Sequence, residues 1–339
     1  MDWKEKLVLV TGGASFISSH LIDHLVEKGA RRIRVVDDLT SGRLANIQNH
    51  IDSGVVEFRK EDLLEPGVAQ RSVEGVNVVF HLAAIHGGRG FVDLHQAACA
   101  QNLAMDGLLV KAAYEAGVEK FVFASSGCVY PNHLQGDVNQ ELYLTEDMVG
   151  PPYDADNMYG WAKLMTEMTL KAYAKDFGFK SASCRFFTVY GERGVENHAV
   201  IAMIARAFVR QSPFEVWGDG TQVRNWTYVG DIVSGMILAA EKIDDGTAVN
   251  LGTEERTRVI DAVLEVMRKT GHQAEVKLLP HMPTGPLNRV ASNRLAKELL
   301  GWEPRMKFMD GLHRTIDWYF ASKEREAVGG YLQEMLTER

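Results

Sequence analysis

Tyr159 and Lys163 stand four residues apart in Tyr159-Gly160-Trp161-Ala162-Lys163, a spacing that brings both side chains to one face of a helix. A phenol beside an ammonium and a cationic hydride acceptor is a usable base, because the two positive charges favour the phenolate and draw its pKa toward neutrality. Such a base can take the proton of an alcohol while the carbon beneath it is oxidised. Taken alone, the pair reads equally well as two polar residues of an amphipathic surface helix. Upstream, Ser125-Ser126 closes an apolar run, and a hydroxyl there can hold the reacting alcohol.

Oxidation of an alcohol needs a hydride acceptor, and the amino terminus offers a site for one. The apolar run Leu7-Val8-Leu9-Val10 leads into TGGASFISSH, which reads as strand, glycine turn and helix. Gly12 suits the tight bend, and a helix N-terminus favours a pyrophosphate. Ser15 and Ser18 occupy the two positions where glycine is usual, so the turn by itself is a weak signal. A second apolar run ends in Val35-Val36-Asp37. An acid there accepts from both ribose hydroxyls and repels a 2′-phosphate, which favours NAD over NADP.

The elements that must position these groups follow from hydrophobic pattern. Short apolar runs predict strands at 7–11, 34–37, 56–59, 76–82, 120–125 and 182–186, and helical periodicity is clearest at 16–28, 102–116 and 158–177. Apolar strands separated by helices predict an α/β fold, a doubly wound parallel sheet of the Rossmann type with helices on both faces. Past residue 190 the strands shorten, which predicts a smaller mixed α/β substrate domain. We expect residues 1–187, with a returning segment near 226–257, to form the cofactor domain; 188–225 and 258–339 would form the other.

The 339 residues carry a net charge of -8, with 46% hydrophobic and 24% charged residues. That balance predicts a globular enzyme without a nucleic-acid surface. No run of about 18 apolar residues is present, and the first six residues do not read as a signal peptide, so a cytoplasmic protein without membrane contact is expected. Cys99, Cys128 and Cys184 are widely spaced, with neither disulfide nor metal pattern. No metal is expected.

Taken together, TGGASFISSH, VVDDLTSG, EDLLE, HLAA, SSGCVYP, YGWAK, CRFFTVYG, VWGDGTQVRNWTYVGD and LGWEP resemble the extended short-chain dehydrogenase/reductase family of nucleotide-sugar epimerases and dehydratases. The resemblance spans nearly the whole chain. It implies a tightly bound NAD that is regenerated at each turnover, contacted by Gly12, Ser15, Phe16, Ile17, Asp37, Asp62, Leu63, Leu82, Ala83, Ala84 and Asn102 together with Tyr159 and Lys163. It implies a nucleoside-diphosphate sugar held by Gly87, Gly88, Arg89, Ser126, Thr188, Asn197, Arg224 and Arg289, the arginines on the diphosphate. Thr188 departs from the family's asparagine, and Ser292 from the acid that often follows the second arginine. Helices 102–116 and 158–177 resemble those that pair in family homodimers, so a homodimer is expected, with Leu108, Leu109, Leu164 and Met168 at the seam.

Within the family, His86-Gly87-Gly88-Arg89-Gly90-Phe91 and Ser125-Ser126-Gly127-Cys128-Val129-Tyr130-Pro131 are most similar to the branch acting at C3 and C5 of a GDP-mannose-type sugar. In that branch the cysteine is catalytic, whereas a buried cysteine is otherwise inert core. Dehydratases carry two acids at the places of Gly127 and Cys128. The branch's second proton-transfer group is a lysine, and the matching place here is His198, which can do the same work or merely cap the next helix. The implied mechanism has Tyr159 and Lys163 drive oxidation at C4, Cys128 as thiolate remove a ring proton, and His198 deliver one to the opposite face. A 4-epimerase needs only Tyr159, Lys163 and Ser126 and is the main alternative. A dehydratase, a decarboxylase or a non-catalytic NAD-binding regulator stands behind it.

Overall fold

Seven apolar runs become the strands of one sheet in the computed structural model, which describes residues 1–337. They are Leu7–Thr11 (β1), Arg32–Val36 (β2), Val56–Arg59 (β3), Val78–His81 (β4), Lys120–Ser126 (β5), Ser181–Phe186 (β6) and Asp245–Leu251 (β7). Their order is β7-β6-β5-β4-β1-β2-β3, with every neighbouring pair parallel. Strand and helix bounds differ from the sequence reading by a residue or two, as element ends do. The chain runs outward from β1 to β3 and then returns to β4 beside β1. That reversal opens a crevice at the carboxyl ends of β1 and β4, where doubly wound sheets hold ligands.

Both faces of the sheet are buried, and the two-residue period sorts its side chains. Val8 and Val10 of β1 join one core cluster with Phe16–Glu27 (α1) and Val229–Lys242, while Leu7 and Leu9 join another with Asn102–Glu115 (α2). Alternation of Cβ direction along a strand explains the split. The long helix Asn157–Phe177 (α3) packs against α2. Ser18 is buried in α1, so its hydroxymethyl group is accommodated where the helix meets the sheet.

The remainder is built from short strand pairs. Thr188–Tyr190 lies beside Trp226–Tyr228, Val223–Arg224 sits between Thr257–Arg258 and Asn288–Arg289, and Phe214–Trp217 pairs with Val276–Leu279. Helices Phe308–Ser322 and Arg325–Thr337 close the described chain. No described helix is long and apolar enough to cross a membrane.

The expected dimer seam needs correction. Leu109 and Leu164 are buried in the core, and Met168 packs partly buried beside Leu164. The helical period puts Leu109 under Met105, one turn earlier and also buried, and turns Leu108 outward. The apolar side chains these two helices show to solvent include Leu103, Leu108 and Met165.

Candidate active site

The turn after β1 is shaped by Gly12, whose φ of +65° lies in the left-handed region that a side chain disfavours. Its N–H donates to Val36 O at 2.8 Å, and a Cβ there would lie 3.0 Å from the backbone of Ala83. The turn therefore rests directly on the Leu82–Ala84 segment. Ser15 is the N-cap of α1, yet its side chain makes no capping bond, so the first N–H groups of the helix remain open to an anion. Asp37, just past β2, is buried and accepts from Ala14 N at 3.0 Å and Leu39 N at 2.8 Å. Burial pushes its carboxyl up, against those two bonds. The Ser15 side chain adds a third bond to Asp37, and of a carboxylate's roughly four acceptor sites one stays open to a ribose hydroxyl. Phe16 is buried and Ile17 half-buried at the start of α1. Asp62 accepts from Leu64 N at 2.9 Å in a turn after β3, with Leu63 buried beside it. These residues fit a dinucleotide: an open helix end, a turn without side chain, and an acid at the second strand.

The Asn102 side chain accepts from Ile85 N and donates to Ile85 O and Cys99 O. These bonds tie the start of α2 to the loop after β4.

Tyr159 lies in the first turn of α3 and Lys163 one turn on. The Lys163 ammonium is 5.6 Å from the centre of the Tyr159 ring and 4.6 Å from that of Phe123. Ser126 ends β5, accepts from Cys128 N at 3.1 Å and is hydrogen-bonded to the Tyr159 phenol. Burial pushes that phenol up, and it also pushes the Lys163 ammonium down, with Asp106 pulling the ammonium back. The expected lowering calls on Lys163 together with the charge of the hydride acceptor; in the chain by itself burial dominates.

A buried chain beneath this pair escaped the sequence reading. The Thr11 hydroxyl accepts from Leu82 N and Ala83 N and meets His81 Nδ1 at 2.7 Å. With its lone pairs used, the hydroxyl donates its O–H to Nδ1, which leaves the single ring N–H on Nε2. Nε2 then donates to Asp106 Oδ1 at 3.0 Å, and Thr166 donates to Asp106 Oδ2 at 2.8 Å. Burial pushes the Asp106 carboxyl up, but the Lys163 charge and these two bonds outweigh it and hold it low. The chain ties β1 and β4 to α2 and α3, which carry the base.

Cys128 sits in the short turn Gly127–Val129 that follows β5. Asp156 N donates to Cys128 O at 2.8 Å, and a Cβ at Gly160 would fall 2.3 Å from that oxygen. Only glycine permits this approach, which pins the start of α3 against the cysteine. His198 is the N-cap residue of helix Ala199–Phe208, with extended backbone, but its side chain makes no capping bond. Its ring stacks on His86 at 5.9 Å, and His86 lies 6.1 Å from Tyr159. Burial pushes the His198 imidazole down to about 3, with His86 adding to the effect. The ring is neutral near pH 7, so it offers an acceptor nitrogen and not the imidazolium expected to deliver a proton. His86 was read only as part of a glycine-rich loop.

Three guanidinium groups gather alongside. Arg89 pairs with Asp93 and donates to Asp156 Oδ2 at 2.8 Å; Arg289 donates to the same oxygen at 3.0 Å. Arg224 donates to the backbone oxygens of Val223 and Thr284, both at 2.9 Å. Burial, then the charges of Arg289 and Arg89, push Arg224 down to about 9. A buried cation crowded by like charges favours an incoming anion. Arg224, Arg89, Thr188 and Asn197 line one cavity with Arg206 and Gln222. Asn197 Oδ1, Arg206 Nε and Gln222 Oε1 are buried there without a hydrogen-bond partner, which marks the cavity as built for a polar ligand. Gly88 lies on Asn197, where a Cβ would fall 2.3 Å from the Asn197 oxygen.

Residues 8–252 match the family described as NAD dependent epimerase/dehydratase. The chain is 33% identical over 332 residues to GDP-mannose 3,5-epimerase 1 of Oryza sativa subsp. japonica, covering 96% of this chain and 85% of that one. It is 34% identical over 316 residues to an uncharacterized UDP-glucose epimerase of Bacillus subtilis, covering 91% and 96%. Two solved structures superpose with a TM-score of 0.82. One is UDP-glucose 4-epimerase of Thermotoga maritima with UDP-glucose, 30% identical over 94% of this chain and 99% of that one. The other is UDP-glucuronic acid 4-epimerase of Bacillus cereus in complex with UDP-glucuronic acid and NAD, 28% identical over 92% and 98%.

Proposed function

The chain belongs to the NAD dependent epimerase/dehydratase family, and on that footing we propose that it epimerises a nucleoside-diphosphate sugar of the GDP-mannose type at C3 and C5. The observation that carries this reading is the company Tyr159 keeps. Cys128 and His198, two groups able to move ring protons, lie near it, and inversion at C4 alone needs neither.

NAD, which Gly12, the open helix end at Ser15 and Asp37 would hold, would supply reversible hydride transfer at C4 of the sugar and a positive charge in its oxidised form. Ser126 holds the C4 hydroxyl while Tyr159 takes its proton. Lys163, whose ammonium Asp106 supports against burial, stands 5.6 Å from the Tyr159 ring and stabilises the phenolate. The 4-ketone acidifies the hydrogens at C3 and C5 through an enolate. The neutral His198 ring accepts one such proton, and the Cys128 thiol supplies another to the opposite face. These are the reverse of the roles implied by family resemblance, and the neutral imidazole is the reason. Arg89, Arg224 and Arg289 take the diphosphate.

The test is incubation with a panel of nucleotide sugars in heavy water. Deuterium at C3 or C5 of an epimerised product supports the reading. Inversion at C4 without solvent deuterium sinks it and supports a 4-epimerase. That second reading has its own basis, since the relatives that carry UDP-glucose epimerase names are as similar as the GDP-mannose enzyme.

Asp37 makes a further measurable claim. A buried carboxylate beside the adenosine ribose repels a 2′-phosphate, so NAD should bind at least about tenfold tighter than NADP, some 1.4 kcal/mol. In Asp37→Ala that ratio should collapse toward one. Equal affinity for the two cofactors in the unaltered protein, by isothermal titration, refutes the role of Asp37.

A further inference from the structure

Glu196 is fully buried, and a carboxylate taken out of water is costly unless it is paired and hydrogen-bonded. Its Oε1 accepts from the Tyr319 hydroxyl at 2.9 Å, from Lys323 Nζ at 2.9 Å and from the Tyr331 hydroxyl at 3.1 Å. Tyr319 belongs to helix Phe308–Ser322, Lys323 to the link that follows, and Tyr331 to the last described helix, Arg325–Thr337. One oxygen thus holds both closing helices. Burial pushes the carboxyl up, but Lys323 and then Tyr319 outweigh it and hold it low. Tyr331 is also hydrogen-bonded to Arg43, in the loop that follows Asp37. Glu196 lies inside the turn that His198 N closes on Val195 O at 3.0 Å. The two residues after it reach the site, since Asn197 lines the cavity and His198 stacks on His86.

The last described helix reaches the same cavity. Val328, Leu332 and Leu336 recur every fourth residue, which puts them on one face, and all three are buried in the main core. Leu336 lines the cavity beside Met203 and Arg206. Gly329 and Gly330 stand in the middle of the helix, with no atom within 4 Å of where a Cβ would lie. No close packing calls for them, and each weakens a helix relative to alanine. A 13-residue helix so weakened does not stand by itself. It stands because its apolar face is covered and Glu196 holds Lys323 and Tyr331. We propose that helix Arg325–Thr337 is a wall of the substrate cavity, and that Glu196 is the positioning residue that keeps the helix docked. The inference rests on reading that cavity as the seat of the nucleoside diphosphate, as above. A ligand that touches Leu336 binds the docked arrangement alone, so its affinity scales with the fraction docked.

Hydrogen exchange with mass analysis on the full NAD-loaded protein reads the docking, with GDP and UDP as separate probes. With a probe at about ten times its dissociation constant, amides of the peptide 325–337 should exchange roughly tenfold more slowly. Leu336→Ala should weaken that probe about three- to tenfold through lost apolar contact and leave NAD affinity as it was. Glu196→Gln strands the Lys323 ammonium beside the Trp318 and Tyr319 rings. The peptide 325–337 should then exchange roughly ten- to hundredfold faster, the probe should bind more weakly, and the amides of the central sheet should not change. Adding Lys323→Met removes the stranded charge and should restore most of both. A probe that binds without slowing the peptide, or binds Leu336→Ala undiminished, overturns the wall. Sheet amides that speed up along with the helix in Glu196→Gln, with no recovery on adding Lys323→Met, make Glu196 a general stabiliser and overturn its role. If neither GDP nor UDP binds the unaltered protein, the reading of the cavity falls and takes this proposal with it, a result seen without any variant.

Discussion

Tyr159→Phe should yield a folded protein that neither reduces its nicotinamide nor exchanges any ring proton of the sugar. The phenol is the group that takes the C4 hydroxyl proton, and removal of a positioned base costs about 10²- to 10⁴-fold. The second loss follows from the first. Hydrogens at C3 and C5 are acidic only beside a ketone, so without C4 oxidation Cys128 and His198 have no proton to move. Stability should barely change. The ring stays packed against Lys163 and His86, and the lost hydroxyl gives up its bond to Ser126, about 0.5–1.5 kcal/mol. Stopped-flow absorbance of the reduced nicotinamide and mass analysis of sugar from heavy water measure the two steps. Ring exchange surviving in this variant would mean that a second base oxidises the sugar or that no ketone is needed.

That prediction draws on residues that were legible in the sequence. Tyr159 and Lys163 lie one helical turn apart, and Gly12 and Asp37 close consecutive strands, so local spacing carries their meaning. The sheet was legible for the same reason, since β1, β4 and β5 are buried apolar runs. What escaped depends on contacts between distant segments. Nothing near residue 289 announces a thiol at residue 128, and the aspartate linking them sits at residue 156, the N-cap position of α3. Two polar residues in apolar surroundings did offer a signal. His81 inside a buried strand and Asp106 on the inward face of α2 are costly to bury unless bonded, and they turn out to be bonded to each other. His198 shows a different limit. Its position followed from a motif, but its charge follows from burial against His86, which only the folded chain creates.

Cys128→Ser separates the two leading functions. Serine keeps the size and can accept the bond that Arg289 gives the cysteine sulfur, but a hydroxyl is far too weak an acid to hand its proton to an enolate carbon. Tyr159, Lys163 and Ser126 are untouched, so nicotinamide reduction on adding substrate should persist. Epimer formation should fall by at least the roughly hundredfold expected of a positioned proton donor. The direction of proton flow then shows in the recovered, unepimerised sugar. If His198 is the acceptor, it still strips and returns a proton on its own face, so deuterium from heavy water should appear at C3 or C5 without inversion. If Cys128 is the acceptor instead, that deuterium disappears along with the product, and His198→Ala should show the complementary pattern. Undiminished epimerisation in Cys128→Ser, beside an inactive Tyr159→Phe, removes the cysteine from the chemistry. The enzyme is then a 4-epimerase, whose keto-sugar turns over in the pocket and needs no acid on the ring.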